Sequence, residues 1–330
     1  MGRVSEIRDP RPRRRRPLRV VVGLLVLLSV IGYFAVQRAS VGGGAPFCVA
    51  SADASGRDGE SEKYEMSPEQ AANAATIAAV GIAKGLPDRA VTIALATAMQ
   101  ESALRNLDHG DRDSLGLFQQ RPSMGWGTPE QITDPVYSAG IFYDHLVDVP
   151  GYSRLPLTVA AQKVQRSGYP QAYAKHEPDA TVLTAAFAAG GSLDCGGPAP
   201  TQPGDPEKVR EGLVRIFGKD GMHTFGPQGG QGGQAGRNGG GGRAVEEPEI
   251  TMVEKQESGE AAIRRSRAMA HWAVANSREM GIARVSYDLR GWVAGKDRGR
   301  WRDKGDAGAK NGDGDPYGAA PGEVRIFLAR

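Results

Sequence analysis

Glu101-Ser102, followed after a polar loop by Gly116-Leu117-Phe118-Gln119, are the residues whose types and spacing can do chemistry. A glutamate near the end of an apolar helix, partly withdrawn from water, has its neutral form favoured. Its pKa rises, and it can hand a proton to a glycosidic oxygen. Gly116 permits a tight backbone turn beside that acid. Leu117 and Phe118 supply apolar anchors, and Gln119 and Gln120 supply amides. A carbohydrate groove requires this mixture: amides for hydroxyl and acylamino groups, and apolar faces for sugar rings. Trp126, within Met124-Gly125-Trp126-Gly127-Thr128, adds an aromatic beside the same loop. Asp108, Asp111 and Asp113 lie in the polar stretch between the two motifs. Any of them can supply the second carboxylate that a two-carboxylate hydrolase needs, although taken singly each reads as a solvated loop residue.

The elements that must position these groups are helical. Ser67-Pro68-Glu69-Gln70 has a serine cap, a first-turn proline and a glutamine able to reach back, and so starts a helix. Ala71, Ala74, Ile77, Ala78 and Ile82 continue it at helical spacing until Gly85. A second helix over 87–102 presents Ala90, Ile93, Ala94, Thr97, Ala98 and Glu101 on one face, small enough for close helix packing. Further helices are predicted at 129–148, 155–166, 170–175 and 178–189, with a closing helix at 205–217. Strand-like runs are scarce here. The expected fold is therefore mainly α, with one helical domain over 67–217.

Between 226 and 242, ten residues are glycine, so 218–257 reads as a flexible Gly-rich linker. A small α+β module over 258–330 follows. It comprises a helix at 258–280, strands at 282–287, 291–294 and 324–328, and a loop at 302–322. Trp272, Trp292 and Trp301 read as its packing residues rather than as ligand-stacking ones.

The amino terminus concentrates arginine. Eight arginines among the first nineteen residues face only Glu6 and Asp9, and Val20 to Val36 carries no charge. Residues 1–19 then read as a cytoplasmic tail, 20–37 as a transmembrane anchor, and 38–66 as an extracellular stalk. This places a single-pass protein in the cell membrane with its carboxy-terminal domains outside; secretion after signal cleavage is the alternative. The formal net charge of +3 owes its sign to the arginine tail, so topology explains it and a nucleic-acid partner is not expected. Cys48 and Cys195 are the two cysteines, and in an exported chain they can form one disulfide.

With these motifs in place, residues 67–195 resemble the goose-type lysozyme and soluble lytic transglycosylase family. In that family a Glu-Ser pair is followed at this distance by Gly-Leu-Met-Gln; here Phe118 replaces the methionine. Asp134-Pro135 and the stretch Tyr143 to Leu146 resemble the family's later element. Its Ala-Tyr-Asn-Ala-Gly element is matched by Ala186-Phe187-Ala188-Ala189-Gly190, without the hydroxyl and the amide. Either Tyr169 or Tyr173 then supplies a hydroxyl from another segment, or activity is reduced. The resemblance implies a lysozyme-like helical domain that cuts peptidoglycan between N-acetylmuramic acid and N-acetylglucosamine. Glu101 would be its general acid and base. Ser102, Gly116, Leu117, Phe118, Gln119, Gln120, Trp126, Tyr143, Tyr169 and Tyr173 would build the substrate site. The flanking sequence and the carboxy-terminal module resemble parts of actinobacterial cell-wall proteins. The alternative function is a catalytically inactive peptidoglycan-binding or scaffolding protein.

Cofactors and metals are not expected. Asn311, Asp313 and Asp315 have the spacing that opens a calcium loop, but Pro316 stands in the glycine position and Gly322 in that of the closing glutamate. The five histidines are dispersed, and Glu323-Val324-Arg325-Ile326 lacks the histidines of a metallopeptidase strand. The expected partners are peptidoglycan strands, and the membrane through the amino-terminal helix.

Overall fold

Ser67 caps the first helix as its sequence predicts. Its Oγ accepts from the Gln70 amide at 3.3 Å, while the Gln70 side chain accepts from the Ser67 N–H at 2.9 Å. This helix, α1 (Pro68–Ala83), is followed by α2 (Asp88–Ser102), α3 (Pro129–Ile132) and α4 (Pro135–Val147). Then come α5 (Leu157–Gln165), α6 (Glu177–Ala188), α7 (Pro206–Phe217), α8 (Glu260–Ala275) and the short α9 (Ser277–Met280). The computed structural model describes residues 45–53, 62–167, 171–219, 222–225, 249–253, 259–303, 319 and 322–330. All of them belong to one unit, Ala45–Arg330.

Helix α1 is buried on almost every side, and α2, α4, α6, α7 and α8 pack around it. Its small residues allow this. A Cβ on Gly81 would come within 2.7 Å of the Tyr143 ring, so a larger residue would expel that tyrosine from the core. Two α1 amides also fix the far end of α2. Gln70 Nε2 donates to Ala103 O at 2.9 Å and Asn73 Nδ2 to Leu104 O at 2.8 Å. Ala103 and Leu104 have φ of 51° and 61°, a left-handed geometry that non-glycine residues rarely adopt. Those two side-chain bonds help to hold them there.

The fold is not mainly α with an appended small module. Two antiparallel sheets belong to the same unit. The first runs β2-β1-β3, from β1 (Phe47–Ser51), β2 (Lys63–Met66) and β3 (Ser192–Gly196). Strands β1 and β2 thus come from the segment read as a stalk. A Cys48–Cys195 disulfide joins β1 to β3 at directly paired positions and closes a sequence separation of 147. The second sheet has six strands in the order β4-β5-β9-β6-β7-β8. Its members are β4 (Met222–Phe225), β5 (Glu249–Val253), β6 (Ile282–Tyr287), β7 (Arg290–Val293), β8 (Arg302–Asp303) and β9 (Glu323–Leu328). Strands β4 and β5 lie within 218–257, the segment expected to be a flexible linker, and so correct that expectation at both of its ends. Such strands escape a reading by periodicity because each is short and its partners are distant in sequence. Residues 226–248, the residues Asn311, Asp313 and Asp315, and most of the 302–322 loop lie outside the described residues.

Membrane anchoring is also corrected. Among the described residues no helix is long and apolar enough to cross a membrane. The tail and span expected at 1–19 and 20–37 lie outside the described residues.

Helix α8 ties the second sheet to the helices: one side meets α1 and α6, another β6 and β9. Trp272 donates from Nε1 to Thr76 Oγ1 of α1 at 3.2 Å, and Trp301 donates to Leu193 O of β3 at 2.9 Å. Trp292 donates to Gly299 O at 2.9 Å, so all three tryptophans are spent on packing. At this junction His271 is fully buried, edge-on to Phe187, Tyr287 and Trp301 at centroid distances of 6.3, 5.7 and 5.5 Å. Neither ring nitrogen makes a well-formed hydrogen bond. Burial, reinforced by Arg267 and Arg290, pushes its pKa well below 6.5, against a weaker pull from the Ala186 backbone. The folded state therefore binds fewer protons than the unfolded state once pH falls below about 6.5, and stability declines with acidification. Replacing the ring by a similar apolar one, His271→Phe, is expected to flatten the fall of the thermal midpoint between about pH 6.5 and pH 5. Parallel melting curves for the two proteins across that window would refute this account.

Candidate active site

Glu101 occupies the penultimate position of α2, two residues before the chain turns through Ala103 and Leu104. Its side chain is half-buried. Tyr173 Oη donates to Glu101 Oε1 at 2.6 Å, from a position 72 residues later. Burial raises the carboxyl pKa, and the hydrogen bonds from Tyr173 and then Gln165 oppose the rise without cancelling it. The tyrosine hydroxyl is pushed upward as well, by burial first and then by the charge and hydrogen bond of Glu101. Tyr173 therefore remains a proton donor around neutral pH.

Gly116 to Gln119 form the tip of a small hairpin, closed by reciprocal backbone bonds between Leu115 and Gln120 at 2.9 and 3.0 Å. Gly116 has φ of 73°, and a Cβ there would lie 2.4 Å from the Ile132 carbonyl oxygen. Both facts demand glycine. The hairpin is sewn to the end of α2 by Ser102, whose Oγ donates to Leu117 O at 2.8 Å. It is sewn to α5 by Gln165, whose Nε2 donates to Phe118 O at 2.7 Å.

An open groove of about 470 Å³ runs along this hairpin, lined among others by Gln119, Arg121, Trp126, His145, Lys163 and Gln165. Glu101 is not itself among the lining residues; Gln165, which lines the groove, is near enough to oppose the rise of the Glu101 pKa. Trp126 packs its ring against His145 at 4.4 Å, and both line the groove.

The residues expected from the sequence divide into two groups. Gln119 and Trp126 line the groove, Tyr173 bonds the Glu101 acid, and Gly116 makes the turn of the hairpin. Gln119 spends its Nε2 on the His109 and Gly116 carbonyls at 3.4 and 3.3 Å, shaping the loop. Ser102, Leu117, Phe118, Gln120 and Tyr143 are buried, and of these Gln120 also lines the groove. Phe118 stacks on Phe142 at 4.6 Å, Gln120 donates to Ser138 O at 3.1 Å, and Tyr143 donates to Ile77 O at 3.0 Å. Tyr143 stands far inside the core, and its hydroxyl pKa is raised by burial. Tyr169 lies outside the described residues, so Tyr173 is the described hydroxyl at the acid. Phe187, at the motif position that lacks a hydroxyl, packs against His271.

None of the three loop aspartates is presented as a free partner to Glu101. Asp113 accepts from Arg121 Nε at 2.6 Å and from the Ser123 N–H at 2.9 Å, and the bonds from Ser123 and Arg121 depress its pKa strongly. Asp108 is exposed, with its pKa lowered by a 2.7 Å bond to His109, and Asp111 is exposed beside Arg112. Among the described residues no His, Cys, Asp and Glu cluster has the makings of a metal site.

Sequence reasoning missed Gln165. Its signal was present: Gln162 and Gln165 lie three apart on the last turns of α5, a spacing that puts both amides on one face. What the sequence did not show is which face meets the acid. No protein-family model matches this chain, and no curated protein is similar to it.

The geometry carries two expectations for stability. Because Glu101 is ionised at a cost above its ordinary value of 4.5, Glu101→Gln should raise the thermal midpoint at neutral pH and lose that advantage as pH falls through 4.5. Midpoints measured from pH 4 to pH 8 test this, and equal midpoints throughout would refute it. Gly116→Ala should cost at least about 1–3 kcal/mol in denaturant unfolding, through strain at positive φ and the Ile132 clash.

Proposed function

We propose that this protein cleaves peptidoglycan glycan strands between N-acetylmuramic acid and N-acetylglucosamine, as a lytic transglycosylase, with Glu101 as general acid and then base. The observation that carries this reading is the Glu101 carboxyl itself. It is half-withdrawn from water with its neutral form favoured, and it is held by Tyr173 at 2.6 Å beside a groove that offers amides and an aromatic ring. The Glu-Ser and Gly-Leu-Phe-Gln motifs of the resembling family are the second support.

In this mechanism protonated Glu101 gives its proton to the glycosidic oxygen as the bond to the anomeric carbon breaks. The carboxylate so formed is stabilised by the Tyr173 O–H. It then accepts the proton of the muramic acid 6-hydroxyl as that oxygen attacks the same carbon and closes the anhydro ring. The substrate's acetamido group assists the positive charge that develops. This route needs one carboxylate, in keeping with loop aspartates that face cations or solvent. Hydrolysis by two carboxylates would need a second one poised for water or for covalent attack. The disulfide suits an oxidising compartment, as a wall enzyme requires.

Purified sacculi digested with the wild-type chain are expected to release anhydro-muropeptides, identified by mass. Glu101→Gln is expected to lower that release by about 10²–10⁴-fold or more. Because the acid must be protonated, the rate should fall as pH rises through the Glu101 pKa. Tyr173→Phe removes a bond that favours the carboxylate, so this alkaline limb should move to higher pH. Folded wild-type protein that binds sacculi and releases nothing would overturn the enzymatic reading and support a wall-binding protein. Reducing rather than anhydro products would replace transglycosylation with hydrolysis.

A further inference from the structure

We propose that Trp126 and His145 form a sugar-stacking platform in the groove, with the indole as the face that meets a pyranose ring and His145 as the positioning residue that props it. The inference rests on the reading of the groove as a glycan site. It names the ring-binding surface within that groove, and it assigns a role to a histidine that the reaction at Glu101 does not use.

Three of the four tryptophans place their indole N–H inside the protein: Trp272 on Thr76, Trp292 on Gly299 and Trp301 on Leu193. Trp126 is the exception. Its N–H meets no acceptor among the described residues, and its half-buried ring rests on the core while it lines the groove. An indole that buries one side and keeps an unspent donor suits a ligand with an apolar face edged by polar groups. A pyranose ring is such a ligand: its C–H groups make the face, and its hydroxyl and acylamino groups make the edge. Asp148 and Lys163 line the same groove and take part in no ion pair among the described residues. An acceptor and a donor therefore remain for that edge.

The ring is held as well as exposed. Tyr137 Oη donates to the Trp126 carbonyl at 3.3 Å. Gly127 follows at φ 133°, and a Cβ there would come within 2.8 Å of that hydroxyl and 3.0 Å of Gln131 Oε1, so a larger residue would push the segment away. The same Gln131 oxygen accepts from the Thr128 N–H at 2.9 Å, in the capping box that starts α3. These contacts fix the backbone around Trp126 and leave its side-chain torsions to a neighbour. His145, in the last turn of α4, is that neighbour: the two ring centroids are 4.4 Å apart and the planes are tilted by 49°. The imidazole is exposed and forms no hydrogen bond among the described residues, so the indole is the partner that its position serves.

The test titrates the full chain with chitotetraose, the tetramer of N-acetylglucosamine, by calorimetry and tryptophan fluorescence, and adds KM on sacculi as a second readout. Wild-type protein is expected to bind the tetrasaccharide with a change in emission, and Trp126→Ala to lose both. His145→Ala, at an exposed helical position, is expected to weaken binding by about 2–10-fold and to raise KM by a similar factor without a matching fall in kcat. His145→Phe keeps a ring against the indole and is expected to restore binding. These two histidine variants carry the test if Trp126→Ala does not fold. No chitotetraose binding by the wild type, wild-type affinity in His145→Ala, or equal weakening in His145→Ala and His145→Phe overturns the proposal. Wild-type protein that binds chitotetraose through Trp126 yet releases nothing from sacculi keeps the platform and removes the enzymatic reading. Cleavage of sacculi at an unchanged KM in Trp126→Ala does the reverse.

Discussion

A hydrogen bond from Tyr173 to Glu101 spans 72 residues of sequence, and the candidate site depends on it. A carboxyl group taken from water without partners is costly, and the cost falls hardest on its charged form. Here the cost is met unevenly: two donors serve the carboxylate, yet burial still prevails and the pKa stays raised. An acid in that balance keeps its proton longer than an exposed glutamate would, and it still has groups ready to stabilise the anion once the proton has gone.

That balance needs a rigid frame, and the frame is assembled from elements distant in sequence. The end of α2 is clamped by Gln70 and Asn73 of α1, which hold the carbonyls of the two left-handed residues that follow the acid. Helix α1 is clamped in turn by its neighbours, α8 included, with Trp272 bonded to Thr76. The six-stranded sheet therefore bears, through α8, on the helix that fixes the acid. Its tryptophans and the apolar box around His271 are the contacts that transmit this support.

The helices were legible in the chain because each carries its own signal. Ser67 and Gln70 form the capping box, Asp205 caps α7, and apolar residues recur every three or four positions, whereas the single helix expected at 129–148 breaks at Asp134, which caps α4 separately from α3. Strand β6, over Ile282–Tyr287, was legible too, as a run rich in β-formers. Strands β1 to β5 were not, since four or five residues contain too few alternations to stand out and their pairing partners lie far along the chain. Phe118, Gln120 and Tyr143 show the same limit at the site. Their motif marks them as part of the groove, while packing against Phe142, Ser138 and Ile77 turns them inward.

The sequence alone determined that an acid would end an apolar helix and that a glycine hairpin would follow it, because capping, periodicity and the need for positive φ are local properties. It also left two cysteines able to pair. Tertiary structure decided which hydroxyl meets the acid, that Gln165 stands beside it, that loop aspartates are engaged elsewhere, and that the carboxy-terminal strands form one body with the helices. Those outcomes depend on how whole surfaces fit, and a contact between residues 72 apart leaves no trace in the periodicity of either segment.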